Sequence, residues 1–172
     1  MESFSRAQIL PEEEVRRVTN SFMAQFLTAK YTEIPSVAIS SGIDSTVGLV
    51  GSHISVFKKL FSNLPDEGIF MNQDCMRTYN LKASLDDPKP ITWGSHFPSI
   101  GAMVRYSNLD KVVGDTMFFL SDELNIPEKD IRLIVKSTDS DLLSICQKVT
   151  TNIEIDTKPN SYYRNCLQFI LG

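Results

Sequence analysis

Apolar residues recur at helical spacing near the start of the chain. Val15, Val18, Phe22, Phe26 and Leu27 fall on one face of the segment Pro11 to Lys30, which predicts an amphipathic helix. Pro11 followed by Glu12, Glu13 and Glu14 suits its first turn. Proline loses no hydrogen bond there, and carboxylates face the positive end of the helix dipole. Ile34 to Ile39 reads as extended, because Pro35 cannot sit inside a helix. Ser40-Ser41-Gly42 reads as a turn and Thr46 to Val50 as a short strand, and a short helix from Ile54 to Phe61 places Ile54, Phe57, Leu60 and Phe61 on one side.

Asp66-Glu67-Gly68 turns the chain into a strand predicted over Ile69 to Arg77, and a second strand runs from about Pro98 to Val104. Between them, the polar stretch Thr78 to Trp93 contains Asp86-Asp87-Pro88 and Pro90 and reads as a long hairpin loop; loops of that length are uncommon unless they carry function. Asn108 to Asn125 is a second long helix, closed by Ile126-Pro127. Ile131 to Val135 is an apolar strand, and Ser137-Thr138-Asp139 offers N-caps for a helix over Ser140 to Lys148. Two last strands are predicted at Asn152 to Asp156 and Tyr162 to Ile170. This order favours one α+β domain over residues 1–172, with a largely antiparallel sheet flanked by helices.

Composition narrows the function classes. A net charge of −4 and a pI of about 5.2 argue against a broad electrostatic grip on nucleic acid, which needs clustered Lys and Arg. Cys75, Cys146 and Cys166 are odd in number and widely spaced, and the histidines are only His53 and His96. That pattern points to reduced thiols in a cytoplasmic setting rather than to a disulfide framework or a metal centre. No apolar run reaches membrane-spanning length.

The order of short motifs carries more specific information. Val15-Arg16-Arg17 through Phe22 and Phe26, then Tyr31-Thr32-Glu33-Ile34-Pro35-Ser36, is similar to the opening helix and proline-bearing strand of alanyl-tRNA synthetases. Asp44-x-Thr46 and Phe57-Lys58-x-x-Phe61 continue in register. Gln73-x-Cys75-x-Arg77 falls where that family carries its motif 2 arginine, and Phe97 and Gly101 match the returning strand. The helix from Asn108 and the run Ile126-Pro127-Glu128-Lys129-Asp130-Ile131 resemble the family's next segment, so the resemblance spans about residues 11–136.

The resemblance implies a class II synthetase core and ligase chemistry: ATP with Mg²⁺ activates an amino acid or related carboxylate as an adenylate. Arg77 would be the catalytic and phosphate-binding cation, since a planar guanidinium suits phosphate oxygens and keeps its charge. Phe97 would offer adenine an aromatic face, with Trp93 or His96 as alternatives, and Lys82 or Lys89 in the loop would reach the outer phosphates. Ser52 and His53 lie where the family builds its substrate pocket, although Gly51-Ser52-His53 also reads as a turn in which Ser52 caps the helix from Ile54. The motif 1 region implies a homodimer or heteromer.

Departures accompany these matches. Pro98 stands where the family has an acidic residue, and it removes a strand hydrogen bond, which suits an edge strand. Val50-Gly51-Ser52-His53-Ile54 does not reproduce the alanine pocket. The sequence reaches Gly172 before any Gly-rich motif 3 strand with its arginine. Complete tRNA charging is therefore not expected of this chain alone, and its acidic charge argues against unaided tRNA binding. The alternative reading is a catalytically degenerate paralogue serving as a binding or regulatory subunit.

Overall fold

A computed structural model gives the fold and describes residues 11–78 and 95–157, together with the backbone strand Gln168–Leu171. The first helix, α1 (Glu12–Thr28), starts directly after Pro11, whose carbonyl accepts from the Glu14 and Val15 N–H groups. It ends without a glycine. Lys30 takes a left-handed φ of 70°, and the Tyr31 and Lys30 N–H groups donate to the Phe26 and Leu27 carbonyls, the closing pattern that usually recruits Gly.

Strand β1 (Thr32–Glu33) pairs in parallel with β2 (Ile69–Met76), which pairs antiparallel with β3 (His96–Met103), so β3 is an outer strand of this sheet. Pro98 sits in β3 opposite Asp74 without breaking the ladder, as an edge position allows. Helix α2 (Ile54–Phe57) continues as a 3₁₀ turn over Lys58–Leu60. Helix α3 (Leu109–Phe118) widens into a π turn at Phe119–Glu123. A second sheet comes from β4 (Ile131–Lys136), β5 (Ile153–Asp156) and β6 (Gln168–Leu171), with helix α4 (Ser140–Val149) between β4 and β5. Here β4 is central, parallel to β5 and antiparallel to β6. The architecture is α+β, and the longest ladder is the antiparallel β2–β3 pair.

The two faces of β2 and β3 are covered differently. Phe70, Ile100 and Ala102 join Phe22 and Phe26 of α1, Val113 and Met117 of α3, and Ile131, Leu133 and Val135 of β4 in the main core. Phe22 packs on Phe26 at 4.3 Å between centroids and edge-on to Phe119 at 5.4 Å. Each such buried ring contributes about 1.5–3 kcal/mol. On the opposite face, Ile69, Met71, Cys75, Phe97 and Met103 lie under Val50, Val56 and Phe57. The segment 34–57 thus forms a strap across that face.

The strap departs from expectation. The strand predicted at Thr46 to Val50 is a sequence of turns, because Asp44 folds the chain locally. Its Oδ1 accepts from the Thr46 N–H at 3.0 Å and the Thr46 hydroxyl at 2.6 Å, leaving Val47 and Leu49 exposed. Hydrogen bonds from Lys58 and Thr46 hold the Asp44 carboxyl well below the usual range. The extended run after Ile34 also leaves the sheet. Ile34 N–H still donates to the Phe70 carbonyl, but the pairing of β1 stops at Glu33.

A polar joint ties the end of α1 to α3. The Tyr31 hydroxyl donates to Asp115 Oδ2 at 2.8 Å. Lys111 bonds the same oxygen at 2.8 Å while sitting 3.4 Å from the centre of the Tyr31 ring. Burial, then the Asp115 bond, pushes the Tyr31 phenol far above its usual value.

Candidate nucleotide site

Strand alternation places Gln73, Cys75 and Arg77 of β2 and its adjoining residue on one face, with Phe97, Ser99 and Gly101 of β3 beside them. Arg77 comes directly after the last paired residue of β2, and its N–H still donates to the Ser95 carbonyl at 2.8 Å. Its Nε donates to the Gly51 carbonyl at 2.7 Å. Its guanidinium carbon lies 5.6 Å from the centre of the Phe97 ring, within cation–π range. Arg77 and Phe97, singled out separately along the sequence, are therefore neighbours. The backbone bond and the ring fix one edge and one face of the guanidinium, an arrangement in which its terminal amino groups can meet an anion.

Besides the Gly51 carbonyl, the strap reaches this site at three further points. The buried Gln73 carboxamide accepts from the Val37 N–H and donates to the Val37 carbonyl, both at 2.9 Å, with a further bond to the Asp74 carbonyl at 2.7 Å. Met76 N–H donates to the Val50 carbonyl at 2.9 Å. His53 crosses to β3, its Nδ1 lying 2.7 Å from the Ser99 hydroxyl. The His53 ring packs edge-on to Phe57 at 5.4 Å and so close to Gly101 that an added Cβ there would overlap the imidazole. Burial lowers the His53 pKa, favouring the neutral ring. Burial also raises the Cys75 thiol, partly offset by a hydrogen bond with Ser99 and by the Arg77 charge.

The other expected residues divide. Ser52 is not the N-cap that the sequence suggested: that position falls to His53, which makes no side-chain cap bond, while the Ser52 hydroxyl accepts from the Ile54 N–H at 3.0 Å in a local turn just before α2. His96 is exposed and, by alternation, sits on the face of β3 opposite Phe97, so the fold does not bring it to Arg77. Trp93, Lys82 and Lys89 lie outside the described residues, as does the loop that holds them. Gln73, Ser99 and Gly51 are the contributors whose roles sequence reasoning missed. A polar residue at an inward strand position was the available signal for Gln73, whereas nothing local marks the Gly51 carbonyl.

Compared with known proteins, the sequence matches no family model and no curated relative. Its fold does find a counterpart. The apo histidyl-tRNA synthetase of S. aureus superposes with a TM-score of 0.54 at 14% identity, covering 91% of this chain and 51% of the synthetase. The fold is class II synthetase-like. The chain thus spans about half the length of the solved synthetase it matches. In this synthetase-like fold, Arg77, directly after β2, and Phe97 of the adjacent β3 stand on the face turned away from α1 and α3.

Proposed function

We propose that this synthetase-like domain, of alanyl type by its motifs, binds ATP–Mg²⁺ and activates an amino acid or related small carboxylate as an adenylate. In that reaction a carboxylate oxygen attacks the α-phosphorus, the bond to pyrophosphate breaks, and charge grows on the non-bridging oxygens. A fixed cation aimed at those oxygens lowers the barrier. The observation that supports the reading is the anchored Arg77 guanidinium, held by the Gly51 carbonyl beside the Phe97 ring. Mg²⁺ arrives on the triphosphate in this scheme; among the described residues no group of three or more His, Cys, Asp or Glu is placed to hold it alone. A cytoplasmic homodimer or heteromer without unaided tRNA binding belongs to the same proposal.

The test is a thermal-shift titration with ATP–Mg²⁺, then pyrophosphate exchange across amino acids. Ligand binding to the folded state raises the midpoint. The expected result is an upward shift in the wild type and none in Arg77→Ala. An equal shift in both proteins would refute the Arg77 assignment.

A second reading has its own support. Gln73 is committed to the Val37 backbone, and Met71, Gln73 and Cys75 are fully buried beneath the strap. A covered face of this kind suits a paralogue that has kept the shape and lost the chemistry, acting as a binding or regulatory subunit. No thermal shift with ATP and no exchange with any amino acid would favour it.

A further inference from the structure

The aim of Arg77 depends on a carbonyl that belongs to the strap rather than to the sheet. Gly51 contributes that carbonyl. On its N-terminal side Val50 is tied to β2 by the Met76 N–H bond at 2.9 Å, while Val50 N–H bonds back within the strap to the Ile39 carbonyl. On its C-terminal side, two residues on, stands His53. Its ring is fastened on three sides, by the Ser99 hydroxyl at 2.7 Å, by the Phe57 ring at 5.4 Å, and by Gly101, which is tolerated there because it has no Cβ. The His53 N–H also faces the Ser99 hydroxyl, at 3.5 Å. Ser99 and Gly101 share a face of β3 with Phe97, the ring over which Arg77 lies.

We propose that His53 is a positioning residue: latched onto Ser99 and Gly101, it holds the Gly51 carbonyl in place and so fixes the orientation of the Arg77 guanidinium. The physical reason is entropic. A long arginine side chain samples many rotamers, and a single bond to a loop carbonyl restrains it only if the loop is itself restrained. Removing the latch leaves Val50 tied to β2 but frees residues 51–53 to move, and the guanidinium must then be ordered by its ligand instead. Its ligand role rests on the ATP reading above; the latch itself does not.

The experiment separates the two. In ¹⁵N-labelled protein, the Arg77 Nε–H resonance reports the bond to Gly51 through its exchange with water. Wild type, His53→Ala, His53→Asn and Ser99→Ala are compared, each first shown to be folded. The expected result is a protected Arg77 Nε–H in the wild type and faster exchange in His53→Ala and Ser99→Ala. Protection should be recovered in His53→Asn, whose amide can replace Nδ1. Unchanged protection in folded His53→Ala overturns the latch. If His53→Ala does not fold, Ser99→Ala, a smaller change, decides by the same criterion. Titration with ATP–Mg²⁺ should then move the Arg77 resonance in the wild type, and loss of the latch should weaken affinity about three- to tenfold, the cost of ordering one long side chain on binding. A wild-type resonance that ATP–Mg²⁺ leaves unmoved counts against the nucleotide reading alone, while the exchange comparison still decides the latch.

Discussion

The carboxamide of Gln73 and the peptide of Val37 exchange two hydrogen bonds, each 2.9 Å, in the manner of a single β-bridge made by a side chain. The strap is therefore joined to the middle of β2 by a group that apolar residues cannot imitate. Gln73→Leu keeps similar volume but strands the part-buried N–H and carbonyl of Val37, and should destabilise the fold by about 1–3 kcal/mol. Urea denaturation measures this, and a loss below about 1 kcal/mol would show that the strap finds other partners.

Gly101 and His53 should be coupled. Gly101→Ala brings a methyl into steric overlap with His53 Nε2 and should cost about 1–3 kcal/mol through overpacking. In a His53→Ala background the same change should cost much less, giving a clear interaction energy in a double-mutant cycle. Additive effects would mean that the ring moves aside without penalty.

Acid should weaken the fold partly through His53. Its folded pKa lies below the ordinary 6.5 because of burial. As pH falls below about 6.5 the unfolded chain takes up a proton that the folded chain refuses, so stability present above that pH is lost toward the lower folded value. The groups fastened around the ring, Ser99, Phe57 and Gly101, carry no opposing charge. His53→Gln should flatten the pH dependence of the thermal midpoint between about pH 7 and pH 5. An unchanged slope would remove His53 from the account.

The buried thiols should be inert while the protein is folded. Burial pushes Cys146 up to about 11 and also raises Cys75, so the thiolate fraction of Cys146 at pH 8 is roughly a thousandth. Alkylation mapped by mass spectrometry should modify neither residue until denaturant is added. Rapid labelling of Cys75 in native buffer would show that the strap opens readily.

Much of the scaffold is legible in the chain because single residues with one strong role set it. Pro11 and the three glutamates after it mark the start of α1, Gly68 with its φ of 88° turns the chain into β2, and Pro127 bars the helical run of α3 from continuing. The strand expected over Thr46 to Val50 failed for an equally local reason. The side chain of Asp44 competes for the backbone of Thr46, a turn preference that outweighs a few β-branched residues. The site was legible in part. Arg77 and Phe97 could be picked out, but their adjacency depends on the ladder register that sets Cys75 opposite Phe97. The placement of Gly51 depends on contacts dozens of residues away, which no local pattern encodes.

The joint at Tyr31 also sets an alkaline limit on the fold. The chain has five tyrosines, and this one is held protonated far beyond its ordinary range by burial and by the Asp115 carboxylate. Above about pH 10 the unfolded chain releases the phenolic proton that the folded chain keeps, so each further rise in pH favours opening. Phenolate absorbance from Tyr31 should therefore appear together with the loss of tertiary structure rather than ahead of it. Because Tyr31 bridges the end of α1 to α3, base should part these helices at the same step that ionises the ring.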